Sequence, residues 1–133
     1  MARATTSRRV ALKPALRKVL VRVNAARARH DLAALTVSRC LTRRFAQPWA
    51  EHMAQTETMV HQDLAPMFTR CSGLRTVGEN IAAGYRSAAA VVRAWLNSPG
   101  HRANILNPDF TRIGLGLAAS AGGTRYWVQD FGG

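Results

Sequence analysis

Acidic residues are scarce in this chain. Seven Asp and Glu stand against 19 Lys and Arg in 133 residues, a formal charge of +12. The imbalance is local: residues 1–50 hold 12 basic residues and one acid, Asp31, while residues 51–133 hold seven arginines and six acids. Aromatic residues are few as well, and none precedes Phe45. A basic surface without interleaved aromatics lacks the platforms on which bases stack, so nucleic acid is not expected as a partner. The economical reading of the basic third is a solvated helix face behind a disordered basic tail, residues 1–14. The sharper reading is a surface for an anionic cell-wall polymer or a membrane.

Cysteine is limited to Cys40 and Cys71, with no C-x-x-C pair, which excludes a zinc knuckle and a thioredoxin-type motif. Spacing alone leaves two buried thiols and one disulfide equally open. No apolar run approaches the roughly 20 residues of a membrane span, and there is no internal repeat. The chain has no phosphate-binding loop. Its one glycine pair in G-x-G spacing, Gly114 and Gly116, precedes no helix and lacks the rest of a dinucleotide fingerprint. No serine or cysteine stands in a nucleophile-elbow pattern. Arg8 and Arg9 in "SRRVALK" look like a twin-arginine export signal. However, Lys13, Arg17, Lys18 and Arg22 interrupt every apolar run behind them, so no complete signal peptide is visible.

What is present reads as one domain, residues 15–133, preceded by the tail. Leu16, Val19, Leu20 and Val23 follow helical spacing among arginines, predicting an amphipathic helix that ends near Asp31, its basic residues on the wet side. Ser38 caps a second helix with Leu41, Phe45, Trp49 and Met53 on one stripe. Pro48 inside it predicts a kink or break. A short helical piece is expected around Leu64–Arg70. "GENIAAGY", residues 78–85, reads as a loop or short extended segment. Ser87 caps an apolar helix, "AAAVVRAWLN", and Ser98 with Pro99 starts a short one that Pro108 stops. "TRIGLGLAA" alternates, with small residues on one whole face that let another element approach closely. "AGG" at 121–123 turns the chain into "RYWVQDF". Helices first and a hairpin last predict an α+β fold.

Four histidines are candidates for chemistry. His30 sits at a helix end where a cation suits the dipole, and His52 borders the stripe of the second helix as a packing or surface residue. His61 lies beside a predicted loop. His101 stands in the first turn of a helix, where the dipole disfavours imidazolium and a neutral ring is left as metal ligand or base. Glu79 carries a carboxylate into an apolar stretch, which is costly unless it is paired. Two histidines and a carboxylate are the minimum protein set for catalytic zinc. Yet His61, Glu79 and His101 are separated by 18 and 22 residues, and spacing does not bring them together.

The stretch "GENIAAGYRSAAAVVRAWLNSPGHRANILNPDFTRIGLGLA" and the closing "YWVQDFG" resemble the bacterial branch of the CAP superfamily (cysteine-rich secretory proteins, antigen 5 and pathogenesis-related-1 proteins, or SCP-like domains). The resemblance covers about residues 16–132. It implies an α-β-α sandwich with a central antiparallel sheet flanked by helices, and a cavity where two histidines and an acid gather. His101 matches the histidine of the G-H motif and Glu79 the acid of G-E-N. His61, in "MVHQDL", takes the place of the upstream histidine. Asn80, Asn104 and Gln129, from the same motifs, are expected to support the cavity. The second acid of many eukaryotic members has no counterpart in the helix after Glu79. The resemblance implies a secreted or cell-envelope protein, and with it a Cys40–Cys71 disulfide. It also implies a divalent metal, zinc first, on His61, His101 and Glu79, and a small-molecule, lipid or peptide ligand in the cavity. A binding module is the expected function. The alternatives are a metal-dependent hydrolase with Glu79 as catalytic base and a domain that holds polyanions through its basic first helix.

Overall fold

The computed structural model describes residues 10–133; the rest of the basic tail, with Arg8 and Arg9, lies outside the described residues. Residues 10–13, assigned to the tail by sequence, lead into the first helix, and Leu12 is buried in the core. Helix α1 (Pro14–Arg29) begins on a proline, whose missing N–H costs nothing at that position. It is followed by β1 (Thr36–Val37), a π-helical turn (Leu41–Ala46), α2 (Gln47–Thr56), α3 (Ala65–Arg70), β2 (Val77–Ala83), α4 (Ala88–Leu96), α5 (Pro99–Ile105), β3 (Arg112–Ala119) and β4 (Arg125–Gly132).

The four strands form one sheet in the order β1-β3-β4-β2. The three long strands are antiparallel; the two-residue β1 pairs parallel to β3, so the sheet is mixed rather than purely antiparallel. Strand alternation sends Trp127 and Phe131 of β4, with Ile113 and Leu115 of β3, to one face. There they pack with Leu16, Val19 and Val23 of α1 and Val91, Val92 and Trp95 of α4. The opposite face carries Ile81, Tyr126 and Val128 against Ala50, Met53 and Ala54 of α2. A third cluster, Leu41, Phe45, Met67 and Cys71, closes that side beneath α3. The layers are therefore helix, sheet, helix. Both faces of the sheet are dry, which is why β2 and β4 are buried almost end to end.

Two sequence expectations take a different local form. Where the sequence predicts a kink or break at Pro48, the helical run over residues 39–56 carries a π-helical turn instead. The turn before the proline widens, with Gln47 N–H bonding to Thr42 O five residues back, so α2 restarts with proline in its first turn. "GENIAA" is a full strand, β2, because it has β4 as partner along its whole length.

The small face of β3 serves the close approach expected of it. A Cβ on Gly114 would strike Leu41, and one on Gly116 would strike Ala46 and Gln47, so the π-helical turn lies directly on the strand. Beyond β1 the exposed side of β3 is satisfied by side chains: Gln47 Oε1 accepts from Leu117 N and its Nε2 donates to Leu117 O, both at 3.0 Å. Side-chain caps of this kind keep a strand edge from pairing with another chain.

Arg27 departs from the expected wet face of α1. It is 1% exposed and faces no carboxylate. Its guanidinium donates to the carbonyls of Ala33, Ile105, Asn107 and Phe110 at 2.8–3.1 Å, tying α1 to the segment between α5 and β3. Cys40 and Cys71 are joined in a disulfide that links the start of the π-helical turn to the end of α3.

Candidate functional site

β2 is an edge strand, and the site forms around it. Alternation along β2 sends Glu79 toward the α2–α3 side and Asn80 toward α5. Each meets its directly paired β4 neighbour: Glu79 opposite Asp130, Asn80 opposite Gln129.

On the first side the connection between α2 and α3 lays His61 and Gln62 over the strand. His61 Nδ1 lies 2.9 Å from Glu79 Oε1, while the ring itself is largely exposed, 57% against 1% for the carboxylate. Gln62 donates to Glu79 twice, through its backbone N–H to Oε1 at 3.3 Å and through Nε2 to Oε2 at 2.8 Å. The same Nε2 donates to Asp130 Oδ2 at 3.1 Å. Both Glu79 oxygens are therefore engaged.

Asp130 is fully buried, and sequence reading did not single it out. As a carboxylate it would leave Oδ1 without a partner. Burial, then the hydrogen bond and charge of Glu79, push its pKa well above the usual carboxylate range, against a smaller opposing effect of Gln62. A proton held by Asp130 makes it a donor toward Glu79, the usual resolution when two carboxyls share a dry space.

On the other side an amide chain fixes α5 to the sheet. Asn80 Nδ2 donates to the His101 carbonyl at 3.0 Å and to Gln129 Oε1 at 3.1 Å. Asn104 Nδ2 donates to Asn80 Oδ1 at 2.9 Å and to the Glu79 carbonyl at 3.2 Å. The three expected supporting residues, Asn80, Asn104 and Gln129, therefore form one connected set. His101 Nδ1 lies 2.9 Å from Ser98 Oγ. Burial first, and the charge of His61 second, lower the His101 pKa, so its neutral ring is favoured.

In each ring Nδ1 has a protein partner, which leaves Nε2 as the ligating atom. Two imidazoles, each oriented through its second nitrogen, suit a borderline transition metal such as zinc. Such an ion would have His61 and His101 as its protein ligands, with water completing the set. Among the described residues, no three His, Cys, Asp or Glu side chains are arranged to hold one. Beside His101 opens a cavity of about 230 Å3 walled by Ile81, Trp95, Met59 and Tyr85. Met59 and Tyr85 stay exposed at its rim. His30 and His52 take no part: His30 ends α1 beside Arg102, and His52 stacks on Trp49.

The CAP family, described as Cysteine-rich secretory protein family, matches residues 20–131. The chain belongs to the CAP family.

Among CAP relatives, YkwD, an uncharacterized protein of Bacillus subtilis (strain 168), is 35% identical over 135 residues. That match takes in 96% of this chain and 50% of YkwD, so the chain spans about half the length of that relative. An extracellular protein containing a SCP domain from Bacillus anthracis is 28% identical with a TM-score of 0.71, over 86% of this chain and 39% of that one. An outer surface protein of Borrelia burgdorferi shares the fold at a TM-score of 0.80 and 23% identity, over 92% of this chain and 95% of that one. NaASP2, solved with Zn2+, shares the fold at 0.68 and 15% identity, over 90% of this chain and 80% of that one.

Proposed function

We propose that this CAP domain is an extracellular or cell-envelope binding module. In this reading His61 and His101 bind a divalent transition metal through Nε2, and the adjoining cavity holds a small apolar group of the ligand. The observation that carries the reading is the paired orientation of the rings: Glu79 fixes His61 and Ser98 fixes His101, each through Nδ1. An oriented imidazole loses less entropy on ligation. The metal, when bound, supplies a Lewis-acidic anchor for an oxygen or nitrogen of the ligand. An exterior location is supported by the extracellular and outer-surface relatives above.

A hydrolase would ask Glu79 to take a proton from a metal-bound water. Its carboxylate is 1% exposed and already accepts from Gln62 on both oxygens. Glu79 is better placed as the positioning residue of His61 than as a base or third ligand.

Titration calorimetry with zinc on wild type, His61→Ala and His101→Ala tests the reading. One site in wild type, weakened at least tenfold in each variant, is the expected result. Equal binding in all three proteins, or none in wild type near neutral pH, overturns it.

A further inference from the structure

Positive charge is concentrated on a surface that no histidine lines and that differs from the α1 face expected to meet anions. Arg39 stands just before the π-helical turn, Arg43 and Arg44 lie within it, and Arg70 ends α3. Together with Ser72 and the Cys40–Cys71 disulfide they line a concave pocket of about 520 Å3.

Spacings of four and five residues in a widened turn bring Arg39 alongside Arg43 and Arg44. Like charges at such separations repel. The disulfide adds Arg70 to the group, because it brings the two carrying segments within 5.8 Å at the Cα atoms. No acidic residue lines the pocket. Among the described residues, none of these guanidinium groups forms an ion pair, the one such contact being His61–Glu79. Arg70 is set in place by Phe45, over whose ring its Cζ lies at 5.2 Å. At the rim Arg112 Nη1 donates to the Ser72 carbonyl at 2.9 Å.

We propose that these four arginines form an anion-binding pocket over the disulfide, which takes a ligand carrying linked phosphate groups. Guanidinium forks match the oxygens of phosphate in pairs. Charges of one sign around a concavity focus the potential more than the same charges on a convex helix. The volume lies within the range of small-molecule sites and admits more than one phosphate. The arginines that repel one another in the free protein gain a common counter-charge in the complex.

The test is calorimetric titration with inorganic tripolyphosphate at fixed ionic strength. Wild type is compared with Arg44→Gln/Arg70→Gln, with Arg39→Gln/Arg44→Gln, which keeps the Arg70–Phe45 stack, and with Arg17→Gln/Arg22→Gln, which removes equal charge from α1. Saturable binding that falls at least tenfold in both pocket variants and less than threefold in the α1 variant is expected. Equal loss in all three variants would reduce the effect to net charge, and no saturable binding in wild type would remove the site. Either result overturns the proposal. Phosphatidylglycerol vesicles identify the source of the phosphate. Sedimentation with vesicles that tripolyphosphate displaces, and that the pocket variants lose, assigns a lipid headgroup. Tripolyphosphate binding without vesicle binding at physiological salt assigns a soluble phosphorylated ligand. Both support the pocket.

Discussion

Glu79 and Asp130 face each other in register across β2 and β4, two carboxyl groups directly opposed in a dry part of the sheet. Like charges at that position destabilise a strand pair, and the raised Asp130 pKa relieves the conflict by keeping a proton there. The sign of the pH effect follows. A carboxyl whose folded pKa lies above its unfolded value contributes stability that is fully present below the unfolded value and is lost as pH rises through the folded one. Asp130→Asn keeps the shape, replaces the shared proton with amide hydrogens, and does not titrate. Near neutral pH it should melt higher than wild type, by an amount of order 1 kcal/mol or a few degrees. The advantage should shrink as pH falls toward 4. Melting curves of both proteins across that range check it; a variant less stable than wild type at every pH would contradict the shared proton.

Glu79→Gln leaves His61 with a weaker acceptor while keeping both proposed ligands, His61 and His101. Removal of such an outer partner typically costs about 10–100-fold in metal affinity, and zinc affinity is expected to fall in that range. Affinity should also drop as pH falls below about 6.5, because a ligating imidazole must be unprotonated. The lowered pKa keeps the His101 ring neutral to a lower pH than an ordinary imidazole. Loss of zinc binding altogether in Glu79→Gln, in a folded protein, would show that Glu79 is itself a ligand.

Arg27 is a structural cation. Arg27→Lys keeps the charge but offers three donors on one atom where four carbonyls are spread around a planar fork. Leaving buried carbonyls unpaired costs about 1–3 kcal/mol each, so the variant should lose at least about 2 kcal/mol in a denaturant titration. An unchanged midpoint would mean that the carbonyls find other donors.

The Cys40–Cys71 bond closes a loop with a sequence separation of 31. On the chain-entropy account a loop of this size stabilises by about 3–4 kcal/mol. Intact mass of the unreduced protein should fall short by two hydrogens, and reduction should lower the melting temperature. Two alkylatable thiols after aerobic purification would exclude the bond.

Much of this structure was legible in the sequence because periodicity and capping are local. The spacing of Leu16, Val19 and Val23, the Ser87 cap and the alternation of β3 each specify an element without its neighbours. His61, Glu79 and His101 were singled out from residue type and from the CAP-like motifs. Asp130 and Gln62 were not, because their role depends on the register of β2 against β4. With "GENIAA" read as a loop, nothing placed Asp130 opposite Glu79. Arg27 escaped for a related reason: its carbonyl partners at Ile105, Asn107 and Phe110 lie 78 to 83 residues away in sequence. The arginine pocket likewise depends on the contact between the 39–44 segment and Arg70 that the disulfide holds.

In the proposed function His61 and His101 together form the metal-binding pair, with Glu79 behind His61. X-ray absorption at the zinc edge of the zinc-loaded protein measures the ligand set directly. Two imidazole nitrogens at about 2.0–2.1 Å, with oxygen completing the coordination, are expected. A spectrum with one imidazole or none, or one unchanged in His101→Ala, would contradict the proposed pair.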